Sequence, residues 1–113
     1  MTNEELIERV YVAYNRQDAE VMLAFVSEDV DGPDGQARLD GNQELRTYWM
    51  RQWAETRTRD EVLAIATPIP NRSIVGIGQI VRALTDAVIS TGTFEHDYLI
   101  EDRLIMRLDI RRL

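Results

Sequence analysis

The sequence contains neither cysteine nor lysine. Without thiols the chain can form no disulfide, no thiolate metal site and no cysteine nucleophile. Without lysine it has no Schiff-base amine, no P-loop lysine and no lysine general base; all 13 basic residues are arginine. Histidine occurs once, as His96, so no zinc site is expected. The start Met1-Thr2-Asn3-Glu4-Glu5 lacks the basic and apolar regions of a signal peptide, and no apolar stretch approaches the roughly 20 residues that span a bilayer. A cytoplasmic protein without a membrane partner is therefore expected. Positive charge is in deficit as well: the net charge of −7 argues against a nucleic-acid partner, whose phosphates demand clustered cations. The acid/base repertoire that remains is carboxylates, tyrosines and His96.

What is present suits one domain over residues 1–113: the chain is 44% apolar, enough for a single core. Thr2-x-x-Glu5 is a capping-box pattern, and Leu6, Val10 and Ala13 with Ile7, Tyr11 and Tyr14 form an apolar face to about Asn15. Asp18 can cap a short second helix carrying Val21, Met22, Phe25 and Val26, ending before Asp29. After Gly41-Asn42, Leu45, Trp49 and Trp53 recur every fourth residue on a third helix, with Tyr48, Gln52 and Thr56 on the next stripe. From Glu61 the pattern turns β-branched, and four strands are expected at Val62 to Pro68, Ser73 to Leu84, Ala87 to Ile100 and Leu104 to Arg112. Helices followed by an antiparallel meander make an α+β domain. Apolar residues on both faces of the last strand (Leu104, Met106, Leu108 and Ile110 against Ile105) suggest that the outer sheet face meets a second subunit, giving a homodimer.

The last hairpin carries the chemistry. A two-residue turn at Asp102-Arg103 places His96 opposite Asp109, Tyr98 opposite Arg107 and Ile100 opposite Ile105. Alternation puts Phe94, His96 and Tyr98 on the less charged face, so a His96–Asp109 proton-transfer dyad with Arg107 beside it is expected inside; the bland reading is a core histidine with Asp109 paired to Arg107. Asp31 in the turn-rich Asp29-Val30-Asp31-Gly32-Pro33-Asp34-Gly35 is a second titrating candidate at a pocket mouth. That segment fails as a calcium loop, because Pro33 and Asp34 stand where the fifth ligand and the glycine belong, and no metal is expected. Trp49, Trp53, Tyr48 and Phe94 are candidate pocket walls, and Gln52 and Gln79 candidate polar contacts to a ligand.

Tyr14-Asn15-Arg16-Gln17-Asp18 closing the first helix, Ser27-Glu28-Asp29-Val30-Asp31 after the second, Gly41-x-x-Glu44-Leu45-Arg46-x-Tyr48-Trp49 opening the third, and the closing His96-x-Tyr98-x-Ile100-x-Asp102-x-Leu104-Ile105-x-Arg107-Leu108-Asp109-Ile110 together resemble the nuclear transport factor 2-like superfamily, and within it the SnoaL-like branch. The resemblance implies a cone-shaped sheet wrapped around three helices, with a largely apolar pocket for a small apolar organic ligand and no cofactor. Ketosteroid isomerases share this fold and use a carboxylate base with a tyrosine and a protonated carboxylic acid. By that likeness Asp31 or Asp34 stands near the base, His96 at the acid and Val10 at the tyrosine, for which Tyr14, one turn on, could substitute. Asp109 falls near the last-strand aspartate of limonene epoxide hydrolases, while His96 and Tyr98 replace their arginine and aspartate. The fold hosts several reactions, so three readings stand: an acid/base enzyme of isomerase, cyclase or hydrolase type, a non-catalytic ligand carrier, and a dimeric interaction protein with a filled interior.

Overall fold

A computed structural model describes residues 1–34 and 37–113, with only the backbone of residues 34 and 37. Helix α1 spans Asn3–Asn15 and opens with the capping box expected: the Thr2 hydroxyl accepts from the Glu5 amide at 3.1 Å, and the Glu5 carboxylate accepts from the Thr2 amide at 3.1 Å. Its buried face carries Leu6, Ile7, Val10, Tyr11, Ala13 and Tyr14. Asp18 caps α2, Ala19–Leu23, by accepting from the Val21 amide. This helix is shorter than the spacing suggested, because Val26 already belongs to a strand. Helix α3, Asn42–Glu55, buries Leu45, Trp49 and Trp53, the expected fourth-residue stripe.

Six strands follow and interleave with the helices: β1 Val26–Asp34, β2 Ala37–Asp40, β3 Thr56–Ile69, β4 Arg72–Ala83, β5 Val88–Glu101 and β6 Leu104–Arg112. They form one curved sheet in the order β2-β1-β6-β5-β4-β3. The class is α+β, with three helices against the sheet, yet the sheet is not purely a meander. β1 pairs parallel with β6, and β1 with β2 makes a hairpin where a loop was expected. The segment from Asp29 is rich in Asp, Gly and Pro, and so reads as a turn. Pro33 pairs with Arg38 of β2 but lies beyond Asp31, the last β1 residue paired with β6, so its missing N–H takes nothing from the β1–β6 ladder. The core between helices and sheet joins Leu6, Ile7 and Val10 of α1 to Val30, Val75, Ile77, Ile100 and Ile105 of the strands.

The register of the last hairpin overturns the expected dyad. Asp102 (φ 51°) and Arg103 (φ 63°) both adopt the left-handed region, as a type I′ turn requires, and Ile100 does pair with Ile105. The next pair is Leu99 with Arg107, which leaves Met106 as an unpaired extra residue, a β-bulge. Beyond it every partner is displaced by one, so His96 faces Ile110 and Asp97 faces Asp109. Because strand side chains alternate, the bulge turns Arg107 and Asp109 outward and Leu108 and Ile110 inward. Of the apolar residues expected to offer a dimer surface on this strand, Leu108 and Ile110 therefore line the interior cavity instead, whereas Leu104 and Met106 do not line it.

Gly41, which precedes α3, has φ 89° and ψ 162°, a region essentially reserved for glycine, and an added Cβ would lie 3.2 Å from the Glu28 carbonyl oxygen. Gly41→Ala is expected to lower stability by about 1–3 kcal/mol, read as a lower urea midpoint at unchanged slope.

Candidate functional site

The concave side of the sheet and the three helices enclose a cavity of about 220 Å³. Its walls are mainly apolar, with Val10, Met22, Val26, Val30, Leu45 and Ile105 among them, and Ile110, at 45% exposure, marks the opening. Several polar groups enter this apolar space.

The first is a chain of three. The Tyr11 hydroxyl is hydrogen-bonded to His96 Nδ1 at 2.6 Å and to the Tyr98 hydroxyl at 2.7 Å. All three residues are buried, and α1 and β5 hold them together. Burial, which penalises the imidazolium, lowers the His96 pKa to about 4, so the ring is neutral at pH 7. Two proton arrangements suit a neutral ring. If Tyr11 donates to Nδ1 and Tyr98 donates to Tyr11, Nε2 carries a proton. If Nδ1 donates to Tyr11, which donates to Tyr98, the free donor is the Tyr98 hydroxyl. Nε2 has no hydrogen-bond partner among the described residues.

The second group is Asp60, on β3. Its Oδ1 accepts from Gln79 Nε2 at 2.9 Å, and its backbone N–H and carbonyl both bond the Asn15 side chain at 2.8 Å. Oδ2 has no hydrogen-bond partner among the described residues. Asp60 is 5% exposed, and burial raises its pKa while the Gln79 hydrogen bond lowers it by less. Burial also raises the pKa of Tyr11, Tyr14 and Tyr98, and the Asp60 charge adds to each. The third group is Tyr14, which donates to Gln52 Oε1 at 2.8 Å.

Of the residues singled out from sequence, the cavity brings together His96, Tyr14, Tyr48, Trp49, Gln52, Gln79, Phe94 and Tyr98. Trp53 stands behind, its ring stacked on Trp49 at 6.2 Å between centroids and against Tyr14 at 5.8 Å. Asp31, Asp109 and Arg107 do not reach the cavity. They lie on the outer face in a closed ring with Arg38: Arg38 contacts Asp31 at 2.8 Å and Asp109 at 2.6 Å, and Arg107 contacts the same two carboxylates at 2.9 Å each. Arg107 first and Arg38 second hold the Asp109 carboxyl below the usual range, which suits a structural anion and not a base. The side chain of Asp34 lies outside the described residues.

Two polar cavity residues were not singled out as site residues, Tyr11 and Asp60. Tyr11 was visible as part of the helix face, three residues before Tyr14. Asp60 was hidden because β3 begins at Thr56 with Arg57, Arg59 and Glu61 alternating against Thr58 and Asp60, so both faces look polar and no apolar period marks the strand. Among the described residues no group of three or more His, Asp or Glu side chains gathers as a metal site would need, and no helix is long and apolar enough to cross a membrane.

Because a histidine that titrates lower in the folded than in the unfolded state binds its proton preferentially when unfolded, stability that is full above pH 6.5 is lost as the pH falls toward 4. In an NMR titration the His96 ring should stay neutral down to about pH 4, and Asp109→Asn should leave its midpoint unmoved. Asp60 has the opposite sign. Its raised pKa means that the buried carboxylate costs stability above its folded pKa and costs nothing once it is protonated in both states. Asp60→Asn is thus expected to raise Tm by a few degrees at pH 7 and by less at pH 3, measured by circular dichroism.

No protein-family model matches the chain, and no curated protein does either. Solved structures do. An uncharacterised cystatin-fold protein from Novosphingobium aromaticivorans superposes with a TM-score of 0.87 at 16% identity, covering 99% of both chains. A candidate polyketide cyclase from Pseudomonas putida KT2440 gives 0.79 at 22% identity over 98% of this chain and 91% of its own. An LEH-like epoxide hydrolase of M. tuberculosis gives 0.84 at 12% identity over 96% and 80%. The chain thus shares the α+β cystatin fold of these structures, the fold that the sequence resemblance implied.

Proposed function

We propose that the protein is a cofactor-independent acid/base enzyme, of isomerase, cyclase or hydrolase type, acting on a small apolar substrate that carries a carbonyl group. The observation that carries this reading is the pairing, within one apolar cavity, of a buried carboxylate with one oxygen unengaged and a neutral His96–Tyr11–Tyr98 chain that can end in a hydrogen-bond donor. A base whose pKa is raised toward the working pH removes a proton more readily, and Asp60 is such a base. A neutral donor in a low-dielectric site stabilises a developing oxyanion without being spent in the ground state.

In the proposed step Asp60 Oδ2 takes a proton from the carbon next to the carbonyl. The electron pair of that C–H bond becomes the enolate, and His96 Nε2–H or the Tyr98 hydroxyl holds its oxygen. Return of the proton to another carbon completes an isomerisation, whereas attack of the enolate carbon on a second carbonyl closes a ring, and the alkoxide so formed takes the proton from Asp60. The candidate polyketide cyclase and the epoxide hydrolase among the structural neighbours support a cyclase or hydrolase type of chemistry. Size narrows the substrate: a cavity of about 150 Å³ holds benzene, so about 220 Å³ suits a compound of one or two rings.

The test is exchange of α-protons of small cyclic ketones and diketones in D₂O, followed by NMR. Turnover by the wild type and a loss of about 10²–10⁴-fold in kcat for Asp60→Asn, with binding still visible as quenching of Trp49 fluorescence, would support the reading. Binding without exchange by the wild type would leave a ligand carrier as the better description.

A further inference from the structure

A second depression runs along the surface between α1 and the β3–β4 edge of the sheet. Glu8, Val12 and Asn15 of α1 and Arg59 and Glu61 of β3 are among its lining residues, and Tyr11, Asp60 and Gln79 line both this groove and the interior cavity. The partition between the two is therefore built from three polar side chains. Asn15 fixes its position: by bonding both backbone groups of Asp60 it ties β3 to α1 at this point. Gln79 holds Oδ1 of the carboxylate. Its cross-strand partner is Gly92, which also lines the groove and against which the Arg112 guanidinium and the Phe94 ring pack, about 3 Å from where a Cβ would stand.

The interior cavity opens elsewhere, at Ile110 on β6. A substrate lying in about 220 Å³ of mainly apolar space occupies that opening and excludes water from it. A carboxylate that has gained a proton from the substrate then has no solvent on the substrate side to exchange with. On the other side, the charged Glu8, Arg59 and Glu61 favour a hydrated groove.

We propose that the Tyr11–Asp60–Gln79 partition is a second, solvent-side access to the site, through which water in the α1 groove exchanges a proton with Asp60 while substrate fills the mouth. The protonated Asp60 carboxyl gives its proton to a groove water, which passes it to bulk solvent as hydronium, and the carboxylate is restored; the reverse transfer supplies a proton when the reaction needs one. Gln79 acts as a positioning residue that keeps one oxygen fixed while the other exchanges. The role of the proton rests on the proposed acid/base function, whereas the existence of the route does not.

The lack of cysteine makes the route testable without a substrate. Asp60→Cys, and separately Gln79→Cys, places one thiol in the partition, and its rate of modification by methyl methanethiosulfonate reports access to a small solute. Val12→Trp, at a half-exposed α1 position, narrows the groove, and Ile110→Trp narrows the mouth. Modification should slow about tenfold or more with the groove plug and less than about threefold with the mouth plug, as thiol reactivity follows access. The proposal is overturned if the mouth plug slows modification as much as the groove plug, if neither plug changes it, or if neither thiol reacts in the folded protein. Failure of the ketone exchange assay with a reactive, groove-gated thiol would instead remove the acid/base reading and leave the access route standing.

Discussion

Met106 is the residue on which the interior depends. It has no partner across the last hairpin, and that one extra residue decides which half of β6 faces the helices. With it, Leu108 and Ile110 complete an apolar wall, and Arg107 and Asp109 meet Arg38 and Asp31 outside. In an unbulged strand the same sequence would carry a guanidinium and a carboxylate into the cavity beside Tyr98 and His96, where burying charges costs far more than it returns unless they are fully paired. The bulge is therefore what leaves His96 without a charged partner. The neutral ring and its depressed pKa follow from a backbone irregularity three pairs away.

A cavity that is apolar in its walls can still bind with orientation, because its few polar groups are fixed by different elements. Tyr11 comes from α1, His96 and Tyr98 from β5, Asp60 from β3 and Gln79 from β4. Each is anchored by a hydrogen bond to another element: α1 to β5 through Tyr11, α1 to β3 through Asn15, and β3 to β4 through Gln79. Losing one such bond leaves its partner buried and unpaired, which costs more than the bond itself contributes. Site geometry and fold stability thus draw on the same contacts, although the buried Asp60 carboxylate among them itself costs stability.

How much of this was legible in the sequence follows from where polarity and periodicity agree. The capping box of α1, the tryptophan stripe of α3 and the long β-branched strands all announce themselves because their buried faces are apolar at the right spacing. The two-residue turn at Asp102-Arg103 was readable even with arginine at a left-handed position. β1 and β2 were not, since a strand made of Asp, Gly and Pro has the composition of a loop and is held by its neighbours. The bulge left no trace either: Leu104, Ile105 and Met106 are all apolar, so either face suits any of them. Asp60 was missed for the related reason that the inner face of β3 begins with polar residues, which is what a functional pocket requires and what a search for hydrophobic alternation passes over.

The charged ring on the outer face has a bearing on the cavity. It joins Asp31 of β1, Arg38 of β2 and Arg107 and Asp109 of β6, and so straddles the parallel seam, where the register between Val26 and Asp31 is irregular. The seam's cohesion is to that extent ionic, and ion pairs this exposed weaken as the screening length falls from about 10 Å at 0.1 M salt to about 3 Å at 1 M. Val26, Val30 and Pro33 on one side of the seam and Ile105, Leu108 and Ile110 on the other are walls of the cavity. Salt therefore bears on strands that wall the cavity through four side chains that never enter it.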